Sequence, residues 1–389
     1  MTPAIVVIAY NRIDSLKRLL SSLENAEYPE GVKIPLIISI DRQTDDQNRN
    51  VFELATEFEW HFGDKEVIYH EKNLGLKAHV LSCGDLSEKY GSVILLEDDL
   101  FVSPAFYSFA CSALDFTEGK DKIGGVSLYN HRLNVHVREP FAAVSAPYDN
   151  WYFQFAQSWG QAVSYEQWKG FKEWLKDNDG KDIAAVNVPE NVSTWSEKSW
   201  LKYHIKYLIE TDRYFLYPTV SYTTNFSDEG THAREMVNDL QVPMSGRRGD
   251  VPFRFAEIEE TRSVYDAFFE NVLLKDEMLE LIDEESEGVS RDEIIIDLYG
   301  YKTFPENARF ALSAGALPNK RIVGFARRLR PIDENIFLKM EGNDFYLYDL
   351  KKSAEPPKMS AVGKLLYNYR AINAKSIISI LKYRIRQKL

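Results

Sequence analysis

The stretch Val93–Pro104, "VILLEDDLFVSP", runs four apolar residues straight into three consecutive carboxylates, Glu97, Asp98 and Asp99. An apolar run bounded in this way predicts a buried strand that ends where polar groups can meet solvent or a ligand. Three like charges at one strand end repel one another, and any that are desolvated shift toward the neutral form. A positive partner is therefore expected at this turn. The bland alternative is a solvated loop whose acids cap a following helix near Ser103.

The residues on either side set that turn in a repeating pattern. "AIVVIAYNR" (Ala4 to Arg12) is a second apolar run ending in polar residues. "IDSLKRLLSSL" then places Leu16, Leu19, Leu20 and Leu23 at helical spacing, with Asp14 near the start as a cap. "IPLIISID" predicts a strand ending at Asp41, a helix is expected over Val51 to Phe62, and "EVIYHEKNLGL" gives a short strand and a loop at Asn73 to Gly75. "KAHVLSCGDLSEKY" predicts a helix before "SVILLEDD", and "LFVSPAFYSFACSAL" predicts another after it. Strands alternating with helices imply right-handed βαβ units and a mostly parallel sheet. In such sheets ligands sit outside the carboxyl ends of the strands. Arg12, Asp41, His70, Asn73 and Glu97 to Asp99 all fall at those ends.

The whole chain has 389 residues, enough for two domains, because single cores stop growing near about 250–300 residues. A net charge of −12 argues against a general nucleic-acid binder, which would show a basic domain or stripe. Two cysteines, Cys83 and Cys111, provide no disulfide framework and make a reducing, cytoplasmic compartment the expectation. No signal peptide is expected, since the first strand begins almost at Met1. No window approaches about 18 consecutive apolar residues, so no membrane span is expected.

The texture changes after about residue 240. "KDEMLELIDEESEGVSRDE" is acidic and helix-prone, and "EIIIDLYGYKTF" and "RIVGFARRLRP" predict strands of a second unit. The last thirty residues hold seven Lys or Arg and no acid, so the remainder carries −19 against −12 overall. Val362, Leu365, Leu366, Tyr369, Ile372, Leu381 and Ile385 recur there at helical spacing. Such a basic amphipathic helix can lie on an anionic membrane surface, or dock on the acidic body.

Three segments, "VIAYNRIDSLKRLLSSL", "NLGL" and "ILLEDDLFVSPAFYSFACSAL", together resemble the nucleotide-sugar half of a GT-A fold glycosyltransferase. The nearest flavour is that of family 2-like bacterial enzymes and the N-acetylglucosaminyltransferase I group, whose metal motif is also Glu-Asp-Asp followed by an apolar residue. "FQFAQSWGQAVSYEQW" and "YPTVSYTTNFSDEGTHARE" resemble that group's acceptor-side Trp-Gly loop and the loop that closes over the donor. The likeness covers roughly residues 4 to 235.

The fold it implies is α/β: a GT-A (Rossmann-like), mostly parallel sheet flanked by helices over residues 1–240. A smaller α+β region over 241–359 and the basic helix over 360–389 would follow. The function it implies is inverting, divalent-metal-dependent transfer of a sugar from a nucleoside-diphosphate donor, UDP-linked by expectation, to a glycan or lipid-linked acceptor in surface polysaccharide synthesis at the inner face of the membrane. Asp99 would ligate Mn²⁺ or Mg²⁺. Tyr10, Arg12, Asp41, Asn73, Lys77, His79, Glu97, Asp98 and His232 would contact the donor, and Trp159 and Gly160 the acceptor. The base would be Glu197, bracketed by Trp195 and Trp200, with Asp228 and Glu229 in reserve; Glu197 in solvent on an amphipathic helix is the competing reading. A non-catalytic glycan-binding relative, or a sugar-nucleotide pyrophosphorylase, is the alternative to a transferase. The pyrophosphorylase needs a glycine-rich phosphate loop, and "AYNRIDS" has no glycine.

Overall fold

A computed structural model describes residues 1–226, 228, 240–249, 252–282, 288–354, 362–363 and 378. It divides into two compact units. The first comprises Met1–His131, Pro147–Ala184 and Val192–Thr261; the second comprises Arg132–Ala146, Ala185–Asn191 and the chain from Arg262 onward. The composition shift near residue 240 thus lies within the first unit. The basic tail falls outside the described residues, except for Val362, Gly363 and Ile378.

The chain opens with β1 (Ala4–Ala9), α1 (Ile13–Glu24), β2 (Leu36–Ile40), α2 (Asp46–Glu57), β3 (Lys65–Tyr69), α3 (Leu76–Asp85), α4 (Ser87–Tyr90) and β4 (Ser92–Glu97). Then come β5 (Leu100–Val102), α5 (Phe106–Thr117) and β6 (Ile123–Ser127). The short β7 (Leu133–Asn134) and β8 (Glu139–Pro140) belong to the second unit. The first unit resumes with β9 (Asn150–Phe153), β10 (Gln161–Ser164) and α6 (Tyr165–Asn178). After α7 (Glu190–Ser193) it closes with α8 (Leu201–Glu210), β11 (Tyr214–Pro218) and β12 (Thr223–Asn225).

The strands of the first unit lie in the order β9-β11-β6-β10-β4-β1-β2-β3. Six of these eight point one way, because only β9 and β10 pair antiparallel with all their neighbours here. This is the expected α/β class: a large, mostly parallel sheet flanked by helices. β1 and β2 are buried along their whole length, as strands covered on both faces must be. The chain steps outward from β1 to β2 and β3, then returns to the other side of β1 as β4. Strand order therefore reverses between β1 and β4, where open α/β sheets hold their ligands.

Three local details depart from expectation. α2 begins at Asp46 rather than Val51, because the Asp45 carboxylate accepts from Asn48 N at 2.8 Å and caps an earlier start. Asp14 does not cap α1; it lies inside the first turn, where its charge complements the positive helix end. The residues after the acidic turn first form β5, which pairs antiparallel with β12, and the helix starts only at Phe106.

In the second unit, β14 (Ile294–Asp297), β15 (Phe310–Ser313), β16 (Asn319–Phe325) and β17 (Phe345–Ser353) form a sheet in the order β14-β15-β17-β16. β13 (Val264–Tyr265) precedes it. α9 (Leu274–Leu281) and α10 (Glu334–Phe337) cover it, burying Leu274, Met278 and Ile336 with Ile296, Phe310 and Leu347. Its core also buries acids. Asp333 is pushed up to about 7 by burial, although the Tyr265 hydroxyl, 2.9 Å away, pulls the other way. Burial likewise holds Glu270 well above the usual carboxylate range.

These acids set a pH dependence. The folded chain keeps the Asp333 proton up to about pH 7, whereas the unfolded chain releases it near 3.8. Unfolding therefore releases protons between those values, and stability falls as pH rises through that window. Urea midpoints read from this unit are expected to be lower at pH 7.5 than at pH 5, by the equivalent of about 2–4 kcal/mol for Asp333 alone. A midpoint that rises over this range contradicts the assignment.

Candidate active site

The acidic turn lies at the reversal of strand order. Ile8 of β1 is in register with Glu97 of β4, and Asp98 N donates to Ile8 O at 3.1 Å. The positive partner expected for the turn is Arg12, three residues beyond β1. Its Nη1 donates to Asp99 Oδ2 at 3.1 Å and its Nη2 donates to Asp98 Oδ1. The other two oxygens, Asp98 Oδ2 and Asp99 Oδ1, are buried without a hydrogen-bond partner.

The carboxyls differ in protonation. Burial, then repulsion from Asp99 and Asp98, pushes Glu97 up to about 8 despite the nearby Arg12. Glu97 is therefore largely neutral at pH 7. Burial raises Asp98 to about 6, opposed mainly by Arg12 and more weakly by the Tyr10 backbone N–H. Burial works against the Arg12 cation, but Asp98 and Asp99 outweigh it and hold the guanidinium firmly charged.

A second arginine–carboxylate group adjoins the turn. β12 pairs with β5, and Phe226 N donates to Asp99 O at 3.0 Å, which brings Asp228 alongside. The Asp228 carboxylate accepts from Ser15 Oγ at 2.6 Å and from both Nη atoms of Arg18. The Arg18 guanidinium also stacks over the Phe226 ring, 4.0 Å from its centroid. Burial pushes Asp228 up, but the Arg18 and Ser15 hydrogen bonds outweigh it, and Arg12 contributes; the net shift is downward. Ser15 and Arg18 escaped the sequence reading, although their i, i+3 spacing on α1 puts them on one face.

The remaining donor-side candidates divide. Asp41 is buried and acts as a loop clamp: its carboxylate accepts from the backbone N–H groups of Arg42, Leu74 and Gly75 at 2.7–2.9 Å. Gly75 takes φ 76° there, a conformation that suits glycine. Asn48, also unforeseen, ties the ends of β1 and β2 together by donating to Tyr10 O and Asp41 O. Asn73 donates to Arg42 O at 2.8 Å and lies 3.5 Å from the Tyr10 hydroxyl. His79 is buried, bonded to Ser39 Oγ at 2.8 Å and lowered to about 4 by burial. Lys77 pairs with Asp179 and sits 4.1 Å from the Tyr203 ring centroid. Glu229 and His232 lie outside the described residues.

On the acceptor side, Trp159 is half-buried, its ring edge-on to Tyr129 with centroids 4.8 Å apart. Gly160 has a packing reason of its own. It takes φ 96°, and an added Cβ would stand 2.8 Å from the Thr223 methyl, while Thr223 Oγ1 donates to Trp159 O at 2.6 Å. Glu197 is exposed and committed: it accepts from buried Lys202 at 2.5 Å and from the Tyr203 hydroxyl at 2.6 Å, and both bonds lower its pKa.

Among the described residues no group of three or more His, Cys, Asp or Glu side chains closes into a metal cage. Asp98 and Asp99 nevertheless offer hard oxygen donors with two buried oxygens unpaired. That donor set fits Mg²⁺ or Mn²⁺, which complete their shells with water and phosphate oxygens.

No protein-family model matches the sequence, and no curated protein matches it. Solved structures similar in part include S. aureus TarS 1-349, at TM-score 0.36 and 16% identity over 57% of this chain and 60% of that one. The same TarS fragment in complex with UDP-GlcNAc gives TM-score 0.33 and 15% identity over 60% of each chain. Mannosyltransferase PcManGT from Pyrobaculum calidifontis, in complex with GDP-Man and Mn²⁺, gives TM-score 0.30 and 14% identity over 50% of this chain and 51% of that one. This chain thus spans about 60% of the length of the TarS fragment. Likenesses this loose carry no argument, and the chemistry rests on the chain's own residues. Among the described residues no helix is long and apolar enough to cross a membrane.

Proposed function

We propose that the chain is a glycosyltransferase of GT-A type that uses a nucleoside-diphosphate sugar. The observation that carries this reading is the acidic turn, set where strand order reverses, with two buried carboxylate oxygens unpaired. A diphosphate placed in that crevice needs positive charge beside it. Asp98 and Asp99 would hold the divalent ion, which when bound neutralises charge developing on the leaving diphosphate. Arg12 supplies further positive charge, and protonated Glu97 is a hydrogen-bond donor for a sugar hydroxyl. Tyr10 and Asn73, next to the loop pinned by Asp41, face the nucleoside end, and the half-buried Trp159 offers a flat face to an acceptor sugar. Inverting transfer needs one carboxylate that takes the acceptor hydroxyl's proton. Asp228 is the first choice, because it adjoins the acidic turn, while Glu197 is already held by Lys202 and Tyr203.

The test is a panel of UDP-, GDP- and dTDP-sugars with Mn²⁺, read as thermal shifts and as donor hydrolysis with and without EDTA. A donor at one hundred times its dissociation constant adds about 2.7 kcal/mol of stability. No shift and no hydrolysis with any donor would sink the reading. Binding without turnover would favour the glycan-binding alternative.

The basic segment 360–389 is proposed to hold the enzyme on an anionic membrane, where a lipid-linked acceptor resides. The full chain is expected to co-sediment with anionic liposomes at low salt, and a version ending at Met359 is not. Equal behaviour of the two removes this role.

A further inference from the structure

We propose that Arg12 is the resident counter-ion of the acidic turn: its guanidinium fills the space between Asp98 and Asp99, so a divalent cation binds there only by displacing it. The inference rests on the cation site of the reading above, but not on glycosyl transfer. One oxygen of each carboxylate, Asp99 Oδ2 and Asp98 Oδ1, is taken by the two Nη atoms of one planar fork. A cation held by the same carboxylates would lie beside that fork and share its charge sign. A divalent ion and the guanidinium carry like charge, and in a part-buried site their repulsion disfavours both occupying the pair at once.

The local charge is not balanced by Arg12 alone. Arg18 is consumed by Asp228, which leaves one guanidinium facing Glu97, Asp98 and Asp99. Asp98 and Asp99 alone already set two carboxylates against that one guanidinium. The two orphaned oxygens, Asp98 Oδ2 and Asp99 Oδ1, are coordination capacity that the guanidinium leaves unused. Arginine does not deprotonate in proteins, so Arg12 cannot yield by losing its charge; it has to move. It is free to do so. The side chain is one-quarter exposed, stands on the loop between β1 and α1, and makes its side-chain hydrogen bonds, among the described residues, only to Asp98 and Asp99. Once displaced, the guanidinium lies beside the ion, available to an anionic group such as a diphosphate. Cation and diphosphate would then help each other bind through one side chain.

The test uses Mn²⁺ alone, titrated into the full chain and followed by the paramagnetic resonance signal of the free ion. Arg12→Ala is expected to bind Mn²⁺ at least about tenfold more tightly than the parent, because competitor and like charge are both removed. Arg12→Lys should fall between the two, since an ammonium is a point charge and cannot fork both carboxylates. Circular dichroism establishes that each variant is folded. If Arg12→Ala does not fold, the comparison of Arg12→Lys with the parent carries the test. Folded variants that bind Mn²⁺ no better than the parent overturn the inference. The donor panel reports separately: donor binding with unchanged Mn²⁺ affinity in the variants would refute the role of Arg12 and leave the transferase reading standing. Tighter Mn²⁺ binding in the variants without any donor binding would do the reverse.

Discussion

Asp99→Ala is expected to lower sugar transfer by roughly 10²–10³-fold or more, the scale on which losing a group that stabilises developing charge is felt, and to abolish its response to Mn²⁺. The fold should survive. Arg12 keeps its bond to Asp98, and one source of repulsion in the turn disappears. That relief has its own readout. Asp99 is the largest charge acting on Glu97 after burial itself, so the Glu97 titration should move down from about 8 in the variant. Carbon-detected NMR of the side-chain carboxyls can follow it. Turnover at the parent rate with the parent Mn²⁺ dependence would remove the turn from the active site. An unchanged Glu97 titration would instead mean that burial alone sets its protonation.

How much of this was legible in the sequence depends on the range of the forces involved. "AIVVIA" and "SVILLE" announce strands buried on both faces because only apolar residues tolerate that position, and the polar residues that end them mark the ligand edge. The four leucines of α1 are buried as their spacing requires. Pairing partners were not legible. Nothing in "QAVS" says that β10 runs antiparallel between β4 and β6, because strand direction is set by contacts distant in sequence. The same holds for residues 132–146 and 185–191, which join the second unit from within stretches that resemble the first.

Within the site, the sequence indicates which side chains reach the edge but not what they do there. Asp41 has the expected position yet spends its carboxylate on backbone N–H groups. His79 has the expected helix and faces inward. The Trp-Gly pair has a glycine because Thr223 crowds it, a contact between segments more than sixty residues apart. Arg12 answers the question posed by three adjacent acids, and only the fold brings it across 86 residues to meet them.

Asp228→Asn is expected to cut the catalytic rate by roughly 10²–10⁴-fold, the usual worth of general acid–base catalysis, while donor affinity stays near that of the parent. The change is nearly isosteric and keeps one oxygen for Ser15 Oγ and Arg18 Nη2, so positioning by α1 should persist while the capacity to take a proton is lost. The Arg18 and Ser15 hydrogen bonds that hold Asp228 below the usual carboxylate range make it a weak base at rest. They also keep it ionised over the whole physiological range, so the acid limb of kcat/KM should fall below the ordinary aspartate value of 3.8. Glu197→Gln serves as the control. It removes the charge on an exposed side chain but keeps an oxygen for Lys202, and should leave the rate within a few-fold of the parent if Asp228 is the base. Loss of rate in Glu197→Gln with retention in Asp228→Asn would transfer the role to Glu197. Loss of donor binding in Asp228→Asn would show instead that the Arg18–Asp228 pair shapes the donor pocket rather than taking the proton.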